Sequence, residues 1–124
     1  MEPNTDTQQR ILDSARELIY ARSYADVGVA AICEHAGVKK GSFYHFFPSK
    51  RDLTLSMLDA AYADIKETLV IKAFAEDIPP LARLDRFGQL TAEFQQQAHQ
   101  STGLVLGCLF GNLSNELATQ DEAI

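Results

Sequence analysis

Apolar residues recur at helical spacing along almost the whole chain. Thr7 reads as an N-cap, and Ile11, Leu12, Ala15, Leu18 and Ile19 follow it on one face. That pattern predicts a helix running to about Arg22. Ser23 to Gly28 reads as a connection, with Tyr24 and Val27 turned toward the core. A short helix is expected from Val29 to about His35, ended by Gly37 in the left-handed conformation. A second short helix is expected from about Lys40 to Phe46, stopped by Pro48.

Ser49 is an N-cap candidate, and Asp52 three residues on completes something close to a capping box. A long helix then carries Leu53, Met57, Leu58, Ala61, Tyr62, Ile65 and Leu69 to about Ala73. Glu76 to Pro80 breaks the pattern at Pro79-Pro80. Leu84, Phe87, Leu90 (or Thr91) and Phe94 then mark one side of a helix from about Leu81 to His99. After a turn at Thr102-Gly103, Leu104 to Leu117 reads as one mostly apolar helix. Asp121 looks like the cap of a further helix, so the chain reads as a piece of a longer protein. No period-two alternation occurs, and the fold class predicted is all-α.

The chain has 124 residues and is 46 % hydrophobic, enough to bury a real core. No apolar run reaches the roughly 18 to 20 residues of a membrane span. The start, MEPNTDTQQR, is polar and unlike a signal peptide. Both features lead to the expectation of a cytoplasmic protein without membrane contact. Cys33 and Cys108 stand far apart without metal-ligand spacing, which suits a reducing compartment. His35, His45 and His99 show no metal spacing either, and there is no phosphate loop or nucleophile elbow. No enzyme activity, cofactor or metal is therefore expected.

A net charge of −6 argues at face value against a nucleic-acid partner. The distribution changes that picture. Up to Leu55 the charges balance, and the whole acidic excess falls from Ser56 onward. Lys39, Lys40, Lys50 and Arg51 make a local positive patch within the aromatic stretch AGVKKGSFYHFFPSK.

Val29 to Phe46 has the pattern of a helix-turn-helix: two short helices, a glycine turn at Gly37, and a shared apolar seam of Ile32, Ala36, Val38, Phe43 and Phe46. Phe43, Phe46 and Phe47 are expected in the core. Lys40, Gly41, Ser42, Tyr44 and His45 then face outward. Lysine and serine suit base edges or phosphates, Gly41 permits close backbone approach, and Tyr44 can donate to a phosphate. Lys50 stands at the start of the next helix, where the free N–H groups also favour an anion. The assignments are base contacts from Lys40, Gly41 and Ser42, and phosphate contacts from Tyr44, His45, Lys50 and Thr7.

The segment AAICEHAGVKKGSFYHFFPSKRDL closely resembles the signature of the tetracycline-repressor (TetR) family of bacterial transcription regulators. The residues that carry it are Ile32-Cys33, Ala36-Gly37-Val38, Gly41, Tyr44, Phe47 and Lys50, and the first helix, TQQRILDSARELIYARSY, fits as well. The resemblance covers about the first 55 to 60 residues. The family often has threonine or serine before the second helix, where Val27 and Gly28 stand here. Phe46 replaces a histidine or tyrosine that touches DNA in some members.

The resemblance implies a DNA-binding domain over residues 1–50 and an incomplete helical effector-binding and dimerisation domain over 51–124. It implies a regulator, by family habit a repressor, that binds a pseudo-palindromic double-stranded DNA operator as a homodimer. The helices that build the family's dimer interface come after Ile124. An effector of unknown identity is expected, with Phe74, Phe87, Leu90, Phe94 and Phe110 as pocket candidates. Cys108, in GLVLGCLFGNLSNELA, is a candidate electrophile or redox sensor, because some members use a cysteine in this segment. The competing reading of Cys108 is a buried small hydrophobe. The competing reading of the whole chain is a helical small-molecule-binding or interaction protein whose helix-turn-helix is incidental.

Overall fold

The computed structural model describes residues 3–124. These form helices α1 (Pro3–Ala21), α2 (Val29–Ala36), α3 (Lys40–Phe46), α4 (Lys50–Ile65), α5 (Ile71–Ala73), α6 (Pro80–Thr102) and α7 (Leu109–Leu117), with a π-helical turn, Lys66–Val70, between α4 and α5. The all-α expectation holds. The chain divides into two compact units, one of residues up to Asp59 together with Cys108–Ile124, the other Ala60–Gly107. Side chains of α7 and the turn after it bond to residues of the N-terminal segment within the first unit.

In the first unit, α1 buries Ile11, Ala15 and Ile19, one per turn. It starts at Pro3, a residue well suited to a first helical position. Thr7 therefore lies inside the helix and does not cap it. Ser14 is also buried, and its hydroxyl bonds Nδ1 of His35 at 3.0 Å, while Nε2 of His35 lies 3.2 Å from the Glu17 carboxylate. These contacts tie α2 to α1. The α2 helix buries Ile32, Cys33 and Ala36, and burial pushes the Cys33 thiol pKa up.

Gly37 has φ 68° and ends α2. Its N–H donates to Glu34 O at 3.2 Å and that of Val38 to Cys33 O at 3.0 Å. This is the paired cap that a left-handed residue allows and a Cβ disfavours. The chain then enters α3, whose Phe43 is fully buried and meets the Phe47 ring at a tilt of 53°, 6.0 Å between centroids. Removing a buried phenylalanine side chain costs about 3–5 kcal/mol, which is large for so small a unit. Val38 and Phe46 are only half-buried, so the seam is narrower than expected.

Ser49 caps α4 as predicted: its Oγ accepts the Asp52 N–H at 3.1 Å and donates to the Asp52 carboxylate at 2.6 Å. Leu53, Met57 and Ala61 form the buried stripe of α4. The helical path reaches Ala73 as expected, but through the π turn. There Thr68 Oγ1 takes the Asp64 carbonyl at 2.7 Å, the acceptor that the Thr68 N–H uses in a regular helix.

In the second unit, Arg86 organises the loop before α6. Its guanidinium donates to the carbonyls of Ala73 and Ala75, each at 3.0 Å, and pairs with Asp77 at 2.8 Å. Phe74 and Phe87 meet at 5.5 Å between centroids. The expected helix from Leu104 does not form. Gly103 and Gly107 have φ 74° and 71°, and residues 104–108 run without regular structure to the start of α7 at Leu109. The Asp121 carboxylate accepts the Ala123 N–H at 3.0 Å.

Candidate nucleic-acid interface

The two faces of α3 differ sharply. Phe43 points fully inward, whereas Lys40, Gly41, Ser42, Tyr44 and His45 are all exposed. Phe43 also meets the Tyr44 ring edge-to-face at 5.2 Å, which steadies a side chain that is 52 % exposed. The His45 ring packs edge-on against Phe46 at 5.0 Å. Neither Lys39 nor Lys40 forms an ion pair among the described residues, so both ammonium groups remain in solvent.

Gly41 is informative for a different reason. A Cβ at this position would meet nothing within 4 Å, so packing within the chain does not require glycine. Glycine in a helix costs roughly 0.5–1 kcal/mol relative to alanine.

Lys50 stands at the start of α4, as expected. Its ammonium donates to Tyr24 O at 2.8 Å and Val27 O at 3.2 Å, and lies 3.9 Å from the Tyr24 ring centroid. Partial burial lowers the Lys50 pKa, opposed by the nearby Glu116 carboxylate. Two of the three ammonium donors are thus directed at backbone carbonyls of the chain itself. Thr7 is half-buried within α1. The N-cap of α2 is Gly28, in extended conformation and with no side-chain cap.

The pocket candidates are not all in one place. Phe74, Phe87, Leu90 and Phe94 belong to the second unit, with Phe74 and Phe94 exposed and Phe87 and Leu90 half-buried. Phe110 belongs to the first unit, on α7, and is half-buried. Cys108 is exposed, which removes the reading of a buried small hydrophobe. It is the N-cap of α7, with Sγ accepting the Gly111 N–H at 3.4 Å.

Sequence reasoning missed the contacts that join α7 to the N-terminal segment. Glu116 accepts the N–H groups of Tyr24 and Ala25 at 3.0 and 2.8 Å. Arg51 forms a two-point pair with Asp121 at 2.5 and 3.0 Å. The partners lie 70 or more positions apart in the chain, and nothing in local periodicity marks them.

Residues 11–57 match the model of the tetR family of bacterial regulatory proteins. The transcriptional regulator AcuR of Cereibacter sphaeroides is 37 % identical over 110 residues, covering 88 % of this chain and 48 % of the relative. The transcriptional repressor NemR of Escherichia coli is 29 % identical over 119 residues, covering 94 % of this chain and 57 % of the relative. The crystal structure of reduced NemR superposes with a TM-score of 0.81 at 29 % identity, over 95 % of this chain and 59 % of that one. The chain thus spans about half the length of the curated relatives it matches. The helix-turn-helix, its glycine turn and these matches agree: the chain belongs to the tetR family of bacterial regulatory proteins.

Proposed function

We propose that the protein is a cytoplasmic transcriptional repressor that binds double-stranded DNA as a homodimer, with α3 of each subunit in the major groove. The observation that supports this best is the division of α3 into a buried Phe43 and an exposed row of Lys40, Gly41, Ser42, Tyr44 and His45. Lys40 and Ser42 read base edges, and Gly41 lets the helix backbone approach the duplex. Tyr44 and His45 reach phosphates, which set register without specifying sequence. Thr7 is a flanking phosphate contact at the edge of the footprint. Lys50 acts through the fold, because its ammonium is engaged by two carbonyls.

Two such helices read half-sites about 34 to 36 Å apart, so the operator is a pseudo-palindrome. Selection from a random duplex pool, followed by a salt titration, tests the reading. The expected product is an inverted repeat, bound with an affinity that falls steeply with salt, by about 0.9 in log–log slope per phosphate neutralised. Recovery of no enriched duplex contradicts it and favours a helical binding protein with an incidental helix-turn-helix.

Release of the operator is assigned to a small effector or to covalent modification of Cys108. Some support for the thiol comes from its exposure and its place at the start of α7. An adduct on Sγ weakens its acceptance of the Gly111 N–H and loosens the first turn of α7. The alternative effector site is the aromatic cluster of Phe74 and Phe87 with Leu90 and Phe94, and it leaves the thiol untouched.

A further inference from the structure

The loop between α1 and α2 is held from two sides by groups of opposite charge. Glu116 Oε2 accepts the Tyr24 N–H at 3.0 Å, and Oε1 accepts the Ala25 N–H at 2.8 Å. Lys50 Nζ donates to Tyr24 O at 2.8 Å and to Val27 O at 3.2 Å. The peptide joining Tyr24 to Ala25 is therefore gripped at both ends, its carbonyl by the ammonium and its N–H by the carboxylate. Charge-assisted hydrogen bonds of this kind are stronger and shorter than neutral ones.

This loop fixes the direction in which the chain leaves α1. The α2 helix begins at Val29, after its N-cap Gly28 and the Val27 carbonyl that Lys50 holds, and α3 follows through Gly37. A change in the loop's peptide planes thus rotates both helices relative to α1. Glu116 comes from α7, and Arg51 with Asp121 forms a second junction between the start of α4 and the turn after α7.

We propose that Glu116 is a positioning residue for DNA binding, setting through Tyr24 and Ala25 the angle at which α2 and α3 meet the duplex. The proposal rests on the DNA-binding reading above. Glu116 touches no DNA, so its loss weakens all sequences alike and leaves base preference unchanged.

The test uses the intact protein and the duplex it selects. Glu116→Ala is expected to weaken binding about tenfold, within the range for residues that act through another element. Glu116→Gln, which keeps one carbonyl acceptor, should fall between that variant and wild type. Amide exchange at Tyr24 and Ala25 should quicken in the same order. The near-isosteric Gln variant carries the comparison if the Ala variant does not fold. If both variants bind within about twofold of wild type, or if either changes base preference, Glu116 does not position the head. If wild-type protein binds no duplex, the DNA reading fails and this proposal with it.

Discussion

Lys50 Nζ lies 3.9 Å from the centroid of the Tyr24 ring and donates to the Tyr24 carbonyl at 2.8 Å. One side chain thus holds both the ring and the backbone of the same residue. Hydrogen bonds to charged groups contribute about 1.5–3 kcal/mol, and a cation over an exposed ring about 0.5–1 kcal/mol. Lys50→Met is expected to lower unfolding free energy by about 2 kcal/mol in denaturant titrations. A loss of duplex affinity with unchanged stability would instead place Lys50 on a phosphate.

The pair of Arg51 with Asp121 makes an acid-side prediction. The Arg51 hydrogen bond, helped by the Ala123 N–H, holds the Asp121 carboxyl below its ordinary value of 3.8. The Asp77 carboxyl is lowered in the same way by Arg86. The folded state then binds fewer protons than the unfolded chain. This stabilisation is complete above the unfolded value and lost as pH falls through the folded ones. Asp121→Asn should flatten the decline in melting temperature below pH 3.8. The pair is solvent-facing, so added salt should weaken its effect at neutral pH.

Gly41 separates stability from binding. A Cβ there meets nothing within 4 Å of the chain itself. Gly41→Ala should therefore stabilise the protein by about 0.5–1 kcal/mol, seen as a higher denaturation midpoint. The same methyl group stands between the helix and the duplex, so operator affinity should fall. A variant that gains stability and keeps full affinity would remove Gly41 from the interface.

Much of the fold was legible because the cues are local. The span of α3, the turn at Gly37 and the cap at Ser49 follow from glycine, proline and hydroxyl positions read within a few residues. Thr7 misled because a hydroxyl before an apolar run also fits inside a helix that starts earlier, here at Pro3. Leu104 to Cys108 misled because apolar composition predicts burial, whereas Gly103 and Gly107 at positive φ decide the backbone. The outward residues of α3 could be read from its period alone. The inward position of Lys50 could not, since its acceptors lie on a loop 23 to 26 positions earlier. Glu116 carried no local signal and Asp121 read only as a helix cap, and only the folded chain brings them to Tyr24, Ala25 and Arg51.

Cys108 offers a direct test of how the regulator is released. Its thiol is exposed and accepts the Gly111 N–H at 3.4 Å. Serine is a good N-cap, so Cys108→Ser should keep α7 and operator binding intact. A quinone or aldehyde should release wild-type protein from its operator and leave this variant bound, read by fluorescence anisotropy. Equal release of both proteins would move the effector to the aromatic cluster of the second unit.

The most direct measurement of the central claim is the base preference of Lys40→Ala. Lys40 is exposed on α3, one turn before the outward Tyr44. Wild type and variant are compared on the selected operator and on a set of duplexes altered one base pair at a time. A lost base contact should remove about 1–3 kcal/mol of discrimination at one position in each half-site, leaving the other positions ranked as before. A uniform loss across all duplexes, with every preference retained, would contradict the assignment of α3 as the helix that reads the sequence.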